Sequence, residues 1–218
     1  QMACAVGGFL SIDFADPKNP VVTPVSFSLS DAGYKLCIVN TGGNHADLNE
    51  DYASVPAEMK AVAAALGQEV LRGLTESDII ANIPILRGTV GDRAILRALH
   101  FLRENARVEK QVDALRADDF ETFLALVTES GLSSWEYLQN VIPAGYKEHQ
   151  EMGVTIAAAK HYLNGKGAVR VHGGGFAGTA QAFVPVEMLA DFKKNMEAIL
   201  GEGRCHVLSI RPEGGAVL

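Results

Sequence analysis

The residues best suited to chemistry form the run His172-Gly173-Gly174-Gly175-Phe176-Ala177-Gly178-Thr179. Gly173, Gly175 and Gly178 match the pattern G-x-G-x-x-G, whose chemistry is the close approach of bare backbone to phosphate oxygens. In a dinucleotide fold the pattern must open a helix whose N-terminus meets the pyrophosphate. Here Ala180 to Val184 alternates as a strand directly after the loop, and only forty residues remain, so that reading fails. A protein-kinase glycine loop is also flanked by strands, but no V-A-I-K, H-R-D or D-F-G segment follows it. Two readings remain. One is a plain hairpin whose glycines permit positive φ; the other is a loop that lays its backbone against phosphates, where side chains would block access. Either way, Gly173 to Gly178 should join two adjacent antiparallel strands.

Other reactive types are less informative. Cys4, Cys37 and Cys205 are widely spaced and odd in number, which fits buried thiols in a reducing compartment and no disulfide framework or metal site. His100 and His172 read as satisfied core or hairpin residues, and neither is assigned chemistry. Ser133 or Ser134 reads as a helix N-cap before Trp135.

Strands and helices must position the glycine run. Phe9 to Phe14 and Val25 to Leu29 alternate as strands, and Tyr34 to Val39 reads as a buried one broken by Asn40-Thr41-Gly42-Gly43-Asn44. Val55, Met59, Val62, Leu66 and Val70 keep helical spacing, with Gly73 beyond the end. A longer helix runs from about Val90 to Leu115, with Ala94, Ala98, Leu102, Ala106 and Val112 as core positions. Asp118-Asp119-Phe120-Glu121 is a capping-box-like start for a helix carrying Phe120, Phe123, Leu124 and Val127. Another helix spans Tyr146 to Leu163 and stops at Asn164-Gly165. Strands at Ala168–Val171, Ala180–Val184 and Cys205–Ile210 enclose a helix whose face is Leu189, Phe192, Met196 and Ile199. The order strand, helix, strand, strand, helix, strand is that of an α+β fold, a ferredoxin-like split β-α-β layer with inserted helices.

Bulk properties set limits. Lys+Arg 19 against Asp+Glu 26 gives a net charge of −7, so nothing pulls the chain toward nucleic acid. Apolar stretches fall short of the roughly 20 residues a spanning helix needs, so no membrane partner is expected, and a cytoplasmic location is. Gln1-Met2-Ala3-Cys4 reads as the middle of a longer chain, an excised fragment.

Arg170-Val171-His172-Gly173-Gly174-Gly175-Phe176-Ala177-Gly178 resembles the third motif of the GHMP family of small-molecule kinases, most closely that of galactokinases. Val39-Asn40-Thr41 followed by Asp51-Tyr52 resembles the galactokinase strand that ends in Asn or Asp-Thr before a Glu-Tyr pair. Arg97-Ala98-Leu99-His100 with Glu104 and Arg107 is similar to the family's Arg-Ala-x-His helix. Asp119-Phe120-Glu121-Thr122-Phe123 resembles its Gly-Asp-x-x-x-Phe helix, and Gln1 matches the Gln of its Met-Asp-Gln stretch. These segments are collinear over nearly the whole chain. Ser130-Gly131-Leu132-Ser133-Ser134 replaces the usual Ser-His segment and Ala177 a common glycine, marks of a divergent branch. Gly131-Leu132-Ser133-Ser134 is not the family's phosphate-binding Gly-Leu-Ser-Ser-Ser-Ala motif, being too late in the chain and lacking its third serine and alanine.

The resemblance implies one GHMP kinase C-terminal domain over residues 1–218, with residues 1–30 packing against the chain's own missing N-terminal domain. It implies transfer of the ATP γ-phosphate to the C1 hydroxyl of galactose, with Mg and ATP, in the full-length enzyme. The catalytic Asp would lie before Gln1, so no catalytic residue is expected here and the chain alone should be inactive. Gly173, Gly174, Gly175, Phe176 and Gly178 would form the nucleotide loop, with Val at Gly174 projecting into its phosphate side. Tyr52 is the sugar-contact candidate, a phenol at the end of an apolar ring. It should face the open side near Asn40 to Asn44, after a polar stretch (Asn44, Asp47, Asn49, Glu50, Asp51). A silent sugar sensor, or a GHMP kinase for another small molecule, are the alternatives on the same scaffold.

Overall fold

The computed structural model describes residues 2–43 and 48–215; Gln1, Asn44 and Asp47, which entered the reading above, lie outside them. In chain order the elements are α1 Met2–Val6, β1 Phe9–Asp13, β2 Val21–Val25, β3 Tyr34–Asn40, α2 Asn49–Ala65, α3 Glu76–Ala81 and α4 Ile83–Thr89. There follow α5 Asp92–Arg116, α6 Phe120–Ser133, a π-helical turn Ser134–Leu138, α7 Glu151–Leu163, β4 Ala168–Val171, β5 Thr179–Pro185, a 3-10 turn Val186–Met188, α8 Leu189–Leu200 and β6 Cys205–Leu208.

β1 and β2 make a two-stranded ribbon; the other four strands form one sheet in the order β4-β5-β3-β6, every pair antiparallel. That is the ferredoxin-like α+β layer the element order implied, with α2 to α7 inserted between its first two strands and α8 between its last two. Side chains alternate across the sheet with period two. Cys37, Val39, Val169, Val171, Ala180, Ala182 and Val184 face α7 and α8, where Met152, Ile156, Phe192 and Met196 complete a buried core. The opposite face presents Ala168 and Phe183 to Phe120, Phe123 and Val127 of α6. A separate helical core joins Val62, Ile79, Leu86, Ile95 and Leu99.

Several expectations shift. The second strand is Val21–Val25, paired with β1 from Asp13↔Val21 to Phe9↔Val25. Its Pro24 is tolerated because the ribbon has an edge on each side. Residues 26–33 turn instead, through Ala32 N–H to Ser28 O at 3.2 Å. α2 ends at Ala65, just before Gly67 with φ +74°, so Val70 lies beyond it and is exposed. α7 starts at Glu151, five residues after Tyr146, because Pro143 and Gly145 (φ +82°) keep the preceding chain irregular. Ala106 and Ile199 are exposed. The short helices α3 and α4 were not anticipated; Thr75 opens α3 in a capping box with Asp78.

Ser133 and Ser134 are not N-caps. α6 runs through Ser133 directly into the π-helical turn, so no helix begins there. Their hydroxyls bond His100 Nδ1 at 2.8 Å and Arg170 Nη2 at 3.1 Å.

Candidate functional site

β4 and β5 run antiparallel up to Val171↔Ala180, and residues 172–178 cross between them. The glycine run is therefore the turn of a hairpin, as its flanking patterns required. His172 closes the neck twice, by its N–H to Thr179 O at 3.0 Å and by Nδ1 with Thr179 Oγ1 at 2.9 Å. Gly173, Gly175 and Gly178 take φ of +70°, +85° and +84°. Phe176 adopts φ +61°, a strained value for a bulky residue. Its ring compensates by burying itself beside Leu48 and Ala177, with the Tyr52 ring edge-on at 5.3 Å.

Three of the loop's carbonyls are fastened to other segments. Gly174 O accepts from Asn140 Nδ2 at 3.1 Å, and Gly175 O accepts from the Tyr52 hydroxyl at 2.8 Å. Gly178 O accepts from both the N–H and the Oγ1 of Thr41, at 2.9 and 2.8 Å. Phe176 N–H donates to Asn140 O at 2.5 Å. By contrast, the N–H groups of Gly173 and Gly174, both exposed, have no acceptor among the described residues. Burial, with Asp51 as a lesser cause, pushes the Tyr52 phenol above its ordinary pKa, so it stays a donor.

Two glycines are required by contact. A Cβ on Gly175 would stand 2.1 Å from Asn140 O, and one on Gly174 would stand 2.8 Å from Tyr52 Cε1. The second distance adds to the expectation for Gly174: a valine there would first meet the Tyr52 ring.

Tyr52 and Asn140 are themselves held by a buried charge. Arg97 of α5, 1% exposed, donates from Nη1 to Ser54 Oγ at 2.8 Å and to Glu58 Oε2 at 2.9 Å, which grips α2. Its Nε donates to Leu138 O at 3.0 Å, two residues before Asn140. Burial lowers the Arg97 pKa and Glu58 opposes the shift, the arrangement a buried guanidinium needs. Lower on α5, Glu104 meets Arg107, Ser130 and Arg170, so the strand entering the glycine loop is tied to α5 and α6. Gly131 lets that strand approach, since a Cβ there would meet Arg170 Cβ at 2.9 Å. His100 is driven down to about 4, chiefly by burial, and sits neutral against Ser133.

The sequence-selected Gly173–Gly178 and Tyr52 thus meet in one place, together with Asn40–Gly43 through Thr41. Sequence reasoning missed Asn140 altogether; a side chain that bonds a distant carbonyl leaves no local pattern.

No family model matches the chain. It is 26% identical over 194 residues to a galactokinase of Actinobacillus pleuropneumoniae, a match covering 89% of this chain and 48% of that protein. A galactokinase of Glaesserella parasuis is 28% identical over the same shares, and one of Thermotoga petrophila is 32% identical over 67% of this chain and 37% of its own. The chain therefore spans about half the length, or less, of these curated relatives. Among solved structures, Lactococcus lactis galactokinase complexed with galactose superposes with a TM-score of 0.74 at 22% identity, covering 100% of this chain and 55% of that one. The L. major mevalonate kinase complex with R-mevalonate gives 0.59 at 14% identity, covering 98% and 52%.

Proposed function

We propose that this chain, a homologue of galactokinases with the fold of a GHMP kinase C-terminal domain, is the C-terminal half of a sugar kinase. In the full-length enzyme, ATP supplies the γ-phosphoryl group. The C1 oxygen of galactose forms the new P–O bond, the bond between the β and γ phosphates breaks, and ADP leaves. The C1 proton goes to a carboxylate proposed to precede Gln1. This chain's share is positioning and charge stabilisation, on which phosphoryl transfer mainly depends.

One observation carries the reading: the carbonyls of Gly174, Gly175 and Gly178 are tied back, while the N–H groups of the exposed Gly173 and Gly174 have no acceptor among the described residues. Bare N–H groups in a turn with positive φ suit the oxygens of a phosphate chain, and the missing Cβ atoms let them approach. The backbone of Gly173–Gly175 therefore fits the phosphates of Mg-ATP. Tyr52, at the same loop, is the proposed sugar contact, since a phenol oxygen both donates and accepts.

Residues 1–218 form one C-terminal domain in this proposal. Residues 1–30 dock on the N-terminal half, which would cover Phe14 and Val21, 57% and 63% exposed on the β1–β2 ribbon. No helix among the described residues is long and apolar enough to cross a membrane; the cytoplasmic site of action is part of the kinase proposal.

The test is ADP release by the full-length protein with Mg-ATP and a panel of sugars. Galactose-dependent release with product phosphorylated at C1 is expected. No release with any sugar, alongside measurable sugar binding, would make the protein a sensor; release with a different small molecule would move it to another GHMP activity.

A further inference from the structure

We infer that Asn140 is a positioning residue for the nucleotide: it fixes the Gly174–Gly175 and Gly175–Phe176 peptides, and with them the turn whose exposed Gly173 and Gly174 N–H groups the kinase reading gives to phosphate. The inference rests on the kinase reading above for its ligand, and on geometry alone for its structural part.

Asn140 contacts the loop from one side with two groups. Its Nδ2 donates to Gly174 O at 3.1 Å, and its own carbonyl accepts from Phe176 N–H at 2.5 Å. In a trans peptide the C=O and N–H point in opposite directions. Drawing Gly174 O toward Asn140 therefore turns Gly175 N–H away from it. Tyr52 holds the following peptide from the opposite side, through Gly175 O at 2.8 Å. Two successive peptide planes are thus pinned between Asn140 and Tyr52.

The residue that does this is itself unusually well placed. It follows a π-helical turn, a rare form frequent at functional sites. Gln139 before it takes the left-handed conformation, with φ 57°. The turn is fixed at both ends: Arg170 Nη2 donates to Ser134 Oγ at 3.1 Å and Arg97 Nε to Leu138 O at 3.0 Å. Arg170 lies on β4, the strand that leads into the loop. The chain thus closes a circuit from β4 through the turn to Asn140 and back to the loop.

The amide is used on one side only. Asn140 is 2% exposed, and its Oδ1 has no hydrogen-bond partner among the described residues. The donor is the working half. Asn140→Asp keeps the shape and removes the donor, because a carboxylate only accepts; Asn140→Leu keeps the bulk and removes both.

Both variants are to be made in the full-length protein, with two readouts: hydrogen exchange at Phe176 and Ala177, and calorimetric titration with Mg-ATP and separately with galactose. Exchange at those amides should quicken, and Mg-ATP should bind about tenfold more weakly, the scale of one lost hydrogen bond, with galactose affinity little changed. Unchanged exchange in both variants overturns the inference. So does quickened exchange with undiminished Mg-ATP affinity, an equal loss for both ligands, or loss of folding in both variants, which would make Asn140 a packing residue. If the unmutated protein binds no nucleotide while the variants still loosen the loop, the kinase reading fails and the positioning role of Asn140 stands.

Discussion

The chain contains two hairpins that reverse direction by different means. The β1–β2 turn, residues 14–20, is held mainly by near neighbours: Asp13 Oδ1 accepts from Ala15 N–H at 2.8 Å, and Asp16 accepts from Lys18 N–H at 2.9 Å and Asn19 Nδ2 at 2.8 Å. Its one long-range grip among the described residues is an exposed ion pair at its base, where Arg72 donates to both Asp13 oxygens at 2.7 and 2.8 Å. The β4–β5 turn is held mainly from outside. Thr41, Tyr52 and Asn140, on three separate segments, supply its donors, and Tyr52 lies 123 residues from its acceptor. A turn that only reverses the chain needs local bonds. A turn fastened from three directions, at a cost in backbone strain at Phe176, has a conformation worth fixing.

The comparison is broken most severely by taking away the rest of the enzyme. The isolated 1–218 chain should fold, because its sheet and helices close continuous cores, and should phosphorylate no sugar. Loss of a general base alone removes about 10²–10⁴-fold, and on the proposed reading the base and half of the cleft lie outside residues 1–218. Circular dichroism would establish folding, and a coupled ADP assay would test turnover. Sugar-dependent ADP release by this chain would show that the active site has been misplaced.

Next in size come the loop glycines. Gly175→Val meets main-chain oxygen at 2.1 Å and must hold φ near +85°. Its cost should combine about 1–3 kcal/mol of backbone strain with about 1–3 kcal/mol of overpacking. Gly174→Val meets only the Tyr52 ring, which is able to swing, so it should cost overpacking alone. Urea melts of the two variants would rank them. A Gly174→Val protein as damaged as Gly175→Val would mean that Tyr52 is less mobile than its side-chain position implies.

How much of this was legible from sequence follows from where each bond is made. The glycine hairpin was readable because Ala168–Val171 and Ala180–Val184 alternate and the glycines stop them. The ferredoxin-like layer was readable from the element order strand, helix, strand, strand, helix, strand. Ser133 and Ser134 misled, since a serine pair before an aromatic looks the same whether its hydroxyls cap a helix or reach His100 and Arg170. α3 was overlooked although Thr75-x-x-Asp78 carries its capping box, because six residues are too few for periodicity to show. Of the loop's fasteners, Tyr52 was found through a family resemblance and Asn140 was not found. Bonds to distant backbone oxygens carry no sequence signature.

Acid probes the outside fastening. His100 is held near 4, well below its usual value, by burial. Between that value and about 6.5, the ordinary histidine range, the unfolded chain binds a proton that the folded chain refuses. Its contribution to stability is therefore complete above about 6.5 and is lost as pH falls toward 4. Thermal melts across that window should show stability declining, and His100→Asn should flatten the decline. An equal slope in the variant would assign the acid sensitivity to other groups.

A smaller effect is expected at Tyr52. Tyr52→Phe keeps the ring against Phe176 and removes the donor to Gly175 O, worth about 0.5–1.5 kcal/mol. In the full-length enzyme the sugar KM should rise by no more than about tenfold. Unchanged kinetics would leave Tyr52 with a packing role.

The smallest change belongs to the other hairpin. Asp16→Ala removes two bonds that the turn makes to itself, both exposed to water that replaces them at once. The Asn19 and Lys18 donors hold the Asp16 carboxyl below its usual pKa, a sign that the bonds exist, but they fasten nothing beyond the turn. The ribbon's register depends instead on five cross-strand pairs from Phe9↔Val25 to Asp13↔Val21, which the substitution leaves alone. The melting temperature of the full-length protein should move by less than about 2 °C, and the galactose-dependent rate should stay as it was. A larger drop, or any fall in rate, would mean that the turn is gripped beyond the Arg72–Asp13 pair at its base, by the half of the protein proposed to dock on residues 1–30. The two hairpins would then differ only in which half of the enzyme does the holding.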